Sequence, residues 1–238
     1  MTLCLQNLSV GYTAQPLSPP INLSIDEGQF IVLYGNNGCG KTTLIKTLSW
    51  LHNAISGNLI LDTENLFLLS KTTLAKRISV LLTKRPFLMN HTVFDIIALG
   101  RIPYLNWKGD INESNKNIIL KYAELMNVSD LLQKQAAEIS DGQLQKVLIA
   151  KTLCQETPII ILDEPLIFLD YSAKKFLLQQ LKSFSIKEKK IILISSHDVN
   201  MCNLYADSCL LMHQQKWTFI SVAELQNNLL YQQFINQT

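Results

Sequence analysis

The stretch Gly35-Asn36-Asn37-Gly38-Cys39-Gly40-Lys41-Thr42-Thr43 satisfies the pattern G-x-x-x-x-G-K-[ST] at every fixed position. Its residue types suit phosphate. Glycines let backbone N–H groups turn inward and approach phosphate oxygens closely. A helix start adds free N–H groups and the positive end of a dipole. Lys41 would bridge the terminal phosphates, Thr42 would offer its hydroxyl to Mg²⁺, and Thr43 is placed to touch the inner phosphate. A glycine-rich turn without a ligand is the alternative. The flanks argue against it: apolar Phe30-Ile31-Val32-Leu33-Tyr34 precedes and Leu44-Ile45-Lys46-Thr47-Leu48 follows, the strand, loop and helix of a true phosphate loop.

Further constellations carry chemistry. Apolar Ile159-Ile160-Ile161-Leu162 ends in Asp163-Glu164. In a nucleotide site Asp163 would hold Mg²⁺ through its water shell, and Glu164 would orient or deprotonate the attacking water. Alone, two acids at a strand end are equally charge reaching solvent; the phosphate loop upstream favours the chemical reading. Ser140-Asp141-Gly142-Gln143 opens a helix, with Ser140 and Gln143 as a capping-box pair. A well-capped helix is the plain reading. Gly142, however, costs roughly 1 kcal/mol against Ala in the first turn, which makes sense if a bulky ligand approaches the backbone there. His197 follows Leu193-Ile194-Ser195-Ser196. A lone His is usually structural, but the carboxyl end of a parallel strand is the side where α/β sheets bind ligands. Tyr12 either stacks on a base, worth roughly 1–3 kcal/mol on nucleic acid bases, or packs in the core. Cys39, near a helix start and Lys41, is either a reactive thiol or a small residue that fits.

The elements needed to position these groups follow from the pattern. Leu3-Cys4-Leu5-Gln6-Asn7-Leu8-Ser9-Val10 alternates loosely as a half-exposed strand, and Ile21-Asn22-Leu23-Ser24-Ile25 alternates strictly as another. Gln15-Pro16-Leu17-Ser18-Pro19-Pro20 predicts a loop that cannot join a sheet interior. Residues 58–61 and 78–82 are short strands. Residues 87–139 read as helical: Val93-Phe94-Asp95-Ile96-Ile97-Ala98-Leu99 is closed by Gly100 and Pro103, and residues 115–126 form a second helix with Ile118, Ile119, Tyr122 and Leu125 on one face. Residues 159–162 and 190–194 are apolar almost throughout, as strands covered on both faces are. The middle is thus a helical insertion in an α/β core.

Composition sets bounds. The chain has 238 residues, 47% hydrophobic and 17% charged, with a net charge of +2. That suffices for a sizeable core. The small net charge, without a basic helix or aromatic-interleaved basic patch, argues against nucleic acid. No apolar run reaches the ~18–20 residues that span a bilayer, and the first residues do not read as a secretory signal. Five cysteines without a C-x-x-C pair suit a reducing cytosol and argue against zinc.

Together these residues resemble the ATP-binding cassette (ABC) ATPases: Tyr12, the phosphate loop, Ser140-Asp141-Gly142-Gln143 as the signature, Asp163-Glu164, a D-loop ending in Leu169-Asp170, and His197 as the switch. The resemblance covers nearly the whole chain. It implies an α/β P-loop NTPase (RecA-like) core, residues 1–83 and 140–238, with an N-terminal antiparallel β-subdomain and an inserted α-helical subdomain, residues 84–139. It implies ATP and Mg²⁺ as ligands and a head-to-tail dimer enclosing two ATP molecules. Ser140, Gly142 and Gln143 of one copy would meet the γ-phosphate held by the other, and Asp170 would cross the interface. An integral membrane permease would dock on the insertion, with Phe87, Leu88 and Met89 as contact residues or as core. The family places such a subunit at the cytoplasmic face of the bacterial cell membrane, served indirectly by a substrate-binding protein. A narrower likeness lies in residues 92–104, which look like the "TV-x-(E/D)-x-V-x-x-GR-x-P" stretch of importer ATPases for iron-siderophore, haem and cobalamin. Thr83-Lys84-Arg85-Pro86 adds to it.

The chain departs from the family in places. Thr83 stands where most members carry a glutamine, nine residues before Thr92. Its hydroxyl can still meet Mg²⁺ or its water, with less reach. Asp141 replaces the second signature glycine, and Gln214-Gln215-Lys216-Trp217-Thr218 lacks the usual glycine turn, which predicts an altered hairpin. Two other readings stand beside an importer ATPase: a non-transport cassette protein, disfavoured by one cassette and a short insertion, and a regulatory subunit that binds nucleotide with weak hydrolysis, disfavoured by Lys41, Asp163, Glu164 and His197.

Overall fold

The computed structural model describes residues 1–12, 15–84, 88 and 90–236. Its centre is a six-stranded sheet in the order Lys216–Ser221 (β12), Ser208–His213 (β11), Phe30–Gly35 (β5), Ile191–Ser195 (β10), Ile159–Leu162 (β9) and Ile78–Leu81 (β8). All are parallel except β12, which pairs antiparallel with β11 at one edge. The apolar runs have a simple cause. Phe30, Val32, Tyr34, Ile160, Leu162, Ile192 and Ile194 face one core, while Ile31, Leu33, Ile159, Ile161, Ile191 and Leu193 face another. Side chains alternate across a strand, so a strand buried on both faces must be apolar at every position.

The second core is closed by an antiparallel sheet in the order Ile21–Asp26 (β4), Thr2–Ser9 (β1), Ser56–Leu61 (β6) and Glu64–Asn65 (β7). Helix α1 (Lys41–Leu48) buries Leu44, Ile45 and Leu48 in the same core. The short helix α2 (Lys71–Leu74) adds Leu74. The first core receives the inserted helices α3 (Val93–Ala98) and α4 (Glu113–Leu125), together with α5 (Asp141–Cys154) and α6 (Tyr171–Lys187). Helix α7 (Val199–Cys202) contributes Cys202, and α8 (Leu229–Ile235) contributes Tyr231 and Phe234.

Several local expectations change. Gln15–Pro16 (β3) pairs with Gly11–Tyr12 (β2) in a two-residue ribbon rather than lying in a loop; the ribbon is a free edge, where proline is tolerated. Gly100 does not end α3. The chain tightens into a 3₁₀ turn, Leu99–Tyr104, with Pro103 inside. A Cβ on Gly100 would lie 2.2 Å from the Lys151 carbonyl oxygen, so the glycine is there for close packing on α5. The β11–β12 hairpin is regular: His213 pairs with Lys216, and Gln214 (φ 48°) and Gln215 (φ 60°) both adopt the left-handed conformation that a type I′ turn requires. Leu88 is partly buried against the first core. Arg85, Pro86, Phe87 and Met89 lie outside the described residues.

Candidate nucleotide site

The site lies at the carboxyl ends of β5, β9 and β10. A cavity of about 390 Å³ opens there, lined by Tyr12, Leu17, Asn37, Gly38, Gly40, Lys41, Thr42, Thr43, Asp163, Glu164, Ile167 and His197. Gly38 (φ 77°) and Gly40 (φ 109°) give the loop its left-handed turns. Gly40 is the N-cap of α1 and brings no side chain to cap it, so the first-turn amides stay available to an anion. Asn36 and Asn37 are exposed, and the Cys39 amide donates to the Asn36 carbonyl at 3.2 Å. Gly35 stands against Met212 and Cys39. Lys41 is buried and arches back, its Nζ donating to the carbonyls of Gly35 at 2.6 Å and Asn36 at 3.3 Å.

Tyr12 is half exposed at the rim and is not a core residue. Its hydroxyl accepts from Thr43 Oγ1 at 3.2 Å, and its ring stands 4.8 Å from that of His52. His52 Nε2 is anchored 2.7 Å from the Gly11 carbonyl oxygen. Nothing in the sequence pattern pointed to His52 as this support.

Asp163 is buried and receives hydroxyls from separate segments. Thr42 Oγ1 (3.1 Å) and Thr83 Oγ1 (2.8 Å) donate to Oδ2, while Ser195 Oγ donates to Oδ1 at 2.7 Å. Thr83, which stands where the resemblance expects a glutamine, thus meets the Asp163 carboxylate directly. The Asp163 Oδ2, Thr42 and Thr83 oxygens converge, and an all-oxygen donor set fits a hard divalent cation such as Mg²⁺, which keeps water and phosphate oxygens as its other ligands.

Glu164 takes up a left-handed backbone (φ 52°), and its amide donates to Ser195 Oγ at 2.8 Å. Burial pushes its carboxyl above the ordinary range; His197 and Lys41 pull it back, and Asp163 pushes it further up. His197, half exposed, holds Nε2 3.0 Å from Glu164 Oε1. The pair is in electrostatic contact without hydrogen-bond alignment.

Ser140, Gly142 and Gln143 do not line this cavity. They form the capping box of α5: the Ser140 amide donates to Gln143 Oε1 at 2.9 Å and the Gln143 amide to Ser140 Oγ at 3.2 Å. The glycine at 142 has a reason inside the chain. A Cβ there would lie 2.9 Å from the Phe168 carbonyl oxygen, so ligand approach is not needed to explain it. Asp170 caps α6, accepting from the Ala173 amide at 2.7 Å and Ser172 Oγ at 2.8 Å. The Ala173 N–H holds its carboxyl below the usual range. Cys39 does not line the cavity either. It packs beneath the loop, with Sγ 2.6 Å from where a Cβ on Gly35 would stand, which suits a small residue that fits.

Residues 19–167 match the ABC transporter family model. An uncharacterised ABC transporter ATP-binding protein of Methanocaldococcus jannaschii is 35% identical over 98% of this chain and 79% of its own. An achromobactin transport ATP-binding protein of Dickeya dadantii is 30% identical over 88% of this chain and 78% of its own. An iron(3+)-hydroxamate import ATP-binding protein of Bacillus subtilis is 30% identical over 84% and 74% respectively. A solved ATP-binding cassette of an ABC transporter, in its ADP conformation, superposes with a TM-score of 0.85 over the whole of both chains at 20% identity. The likeness in structure shows a shared fold. Among the described residues, no helix is long and apolar enough to cross a membrane.

Proposed function

This chain belongs to the ABC transporter ATP-binding family, and from that premise we propose that it hydrolyses MgATP to drive import of a metal chelate, with iron-siderophore complexes as the favoured cargo. One observation carries the hydrolytic reading. Asp163, with the Thr42 and Thr83 hydroxyls on one oxygen, adjoins Glu164 in contact with His197, and Thr42, Asp163, Glu164 and His197 line the cavity at the phosphate loop.

Lys41 and the amides of residues 35–43 would hold the phosphates. Thr42, Asp163 and Thr83 would hold Mg²⁺, which when bound neutralises charge on the phosphate oxygens. Glu164 takes the proton of the attacking water, and its raised carboxyl suits a base. His197 orients Glu164 and reaches the γ-phosphate, while Tyr12 stacks on the base at the rim. Ser140, Gly142 and Gln143 at the start of α5, and Asp170 at the start of α6, serve the ATP of a second copy. That they stand outside their own chain's cavity supports this division. Residues 84–139 serve as the inserted subdomain that docks a permease at the cytoplasmic face of the membrane, with a substrate-binding protein delivering the cargo.

The cargo reading is supported by the relatives named for achromobactin and iron(3+)-hydroxamate. The decisive test of hydrolysis is Glu164→Gln. Phosphate release should fall by roughly 10²–10⁴-fold, as for loss of a general base, while ATP binding persists. Turnover near wild type would overturn the reading. Iron-chelate uptake in a strain lacking this chain, restored by wild type but not by Glu164→Gln, tests the cargo.

A further inference from the structure

Ser195 ends β10 with a hydroxyl where the strand is otherwise apolar, and it is fully buried. Its Oγ donates to Asp163 Oδ1 at 2.7 Å and accepts from the Glu164 amide at 2.8 Å. The directions follow from chemistry, since an ionised carboxylate only accepts and an amide N–H only donates. Each bond has a consequence. With Oδ1 engaged by Ser195, Oδ2 is the oxygen presented to Thr42 and Thr83. With its amide engaged, Glu164 is held in a left-handed conformation that residues other than glycine rarely adopt, and its side chain meets His197.

We propose that Ser195 is a positioning residue for ATP hydrolysis: through one hydroxyl it fixes both the metal-side carboxylate of Asp163 and the base Glu164, so that the two act as a unit. Ser195 is fully buried and does not line the cavity, so it acts only through its two neighbours. Nothing else in the fold ties these two residues to a common atom by hydrogen bonds among the described residues. This inference rests on the reading of the site as a Mg²⁺-dependent ATPase.

The test compares full-length wild type, Ser195→Ala and Ser195→Thr. Two properties are measured: kcat and KM for MgATP, and the Mg²⁺ concentration that half-saturates binding of mant-ATP, a fluorescent ATP analogue, on a timescale before turnover. Outer-shell partners of metal sites typically matter by about 10–100-fold. Ser195→Ala should lower kcat on that scale, leave KM within about threefold, and raise the half-saturating Mg²⁺ several-fold; Thr, which keeps the hydroxyl, should restore both. A purely structural role would shift the melting temperature without moving the Mg²⁺ midpoint, and Thr would do no better than Ala. That result overturns the proposal. Should the Ala variant fail to fold, Ser195→Cys takes its place, because it leaves no cavity and makes only weak hydrogen bonds. Wild type without hydrolysis would break the parent reading. Wild-type hydrolysis with an unchanged Ala variant breaks only the role of Ser195.

Discussion

A side chain at position 142 would run into the Phe168 carbonyl, a backbone group of the same chain. If the glycine served a ligand alone, Gly142→Ala would stabilise the nucleotide-free protein by about 1 kcal/mol, the helix-propensity difference. The contact predicts instead a net loss of up to about 2 kcal/mol, since forcing extra volume into a packed position costs about 1–3 kcal/mol and the propensity gain offsets about 1 kcal/mol. Urea denaturation without nucleotide measures it, and a raised midpoint would return the glycine to its ligand. Residue types at this site were legible wherever spacing carries them, as for the loop residues and Asp163-Glu164. What spacing could not give is partnership across the fold. Thr83 and Asp163 are eighty positions apart in the chain but bonded through Oδ2. Ser195 left one trace, a polar residue closing an apolar strand. His52 left none, because a histidine after a helix looks the same whether or not a tyrosine leans on it.

At the level of elements, residues 92–104 read in the sequence as a family stretch, and their bonding is structural. Thr92 and Asp95 form the capping box of α3. Gly100 lets the following turn lie against α5. Arg101, almost wholly buried, donates to Asn115 Oδ1 (2.9 Å), the Cys154 carbonyl (2.7 Å) and Glu156 Oε2 (3.2 Å), under the ring of Tyr104. This clamp fastens the inserted helices to the end of α5. Replacing Arg101 with Met strands the buried Cys154 carbonyl and takes the ion pair from Glu156, which is partly exposed and keeps Tyr122 Oη at 3.4 Å, and should cost about 1–3 kcal/mol. Chemical denaturation gives the magnitude, and hydrogen exchange should rise first in residues 99–104 and 154–156. Protection unchanged there would show that the clamp is dispensable. The positions of α3 and α4 were foreseen, since a 3.6-residue apolar period survives in a single sequence, whereas the short helices α2, α7 and α8 were not read. Their ends were not: whether Gly100 stops a helix or admits a neighbour depends on Lys151, fifty-one positions away.

On the scale of the whole molecule, the central sheet divides one hydrophobic chain into two cores, and the site opens where its strands end. The fold class was legible because doubly covered parallel strands and a strand–loop–helix phosphate motif leave few alternatives. The paired arrangement is a different matter, since Ser140 and Gly142 lie outside their own chain's cavity. Under the proposed function, Glu164→Gln should convert from monomer to dimer on addition of MgATP, but not MgADP, in size-exclusion chromatography with light scattering. A monomer at every ATP concentration would remove the paired-site reading. The alternation of the sheet also bears on which genetic changes the protein can survive. Exchanging Ile for Val or Leu in β5, β9 or β10 alters one contact in one core. Deleting a single codon there exchanges the membership of both cores at once, and in β9 it also pulls Asp163 and Glu164 out of step with Ser195 on the neighbouring strand. These strands can vary in spelling but not in length.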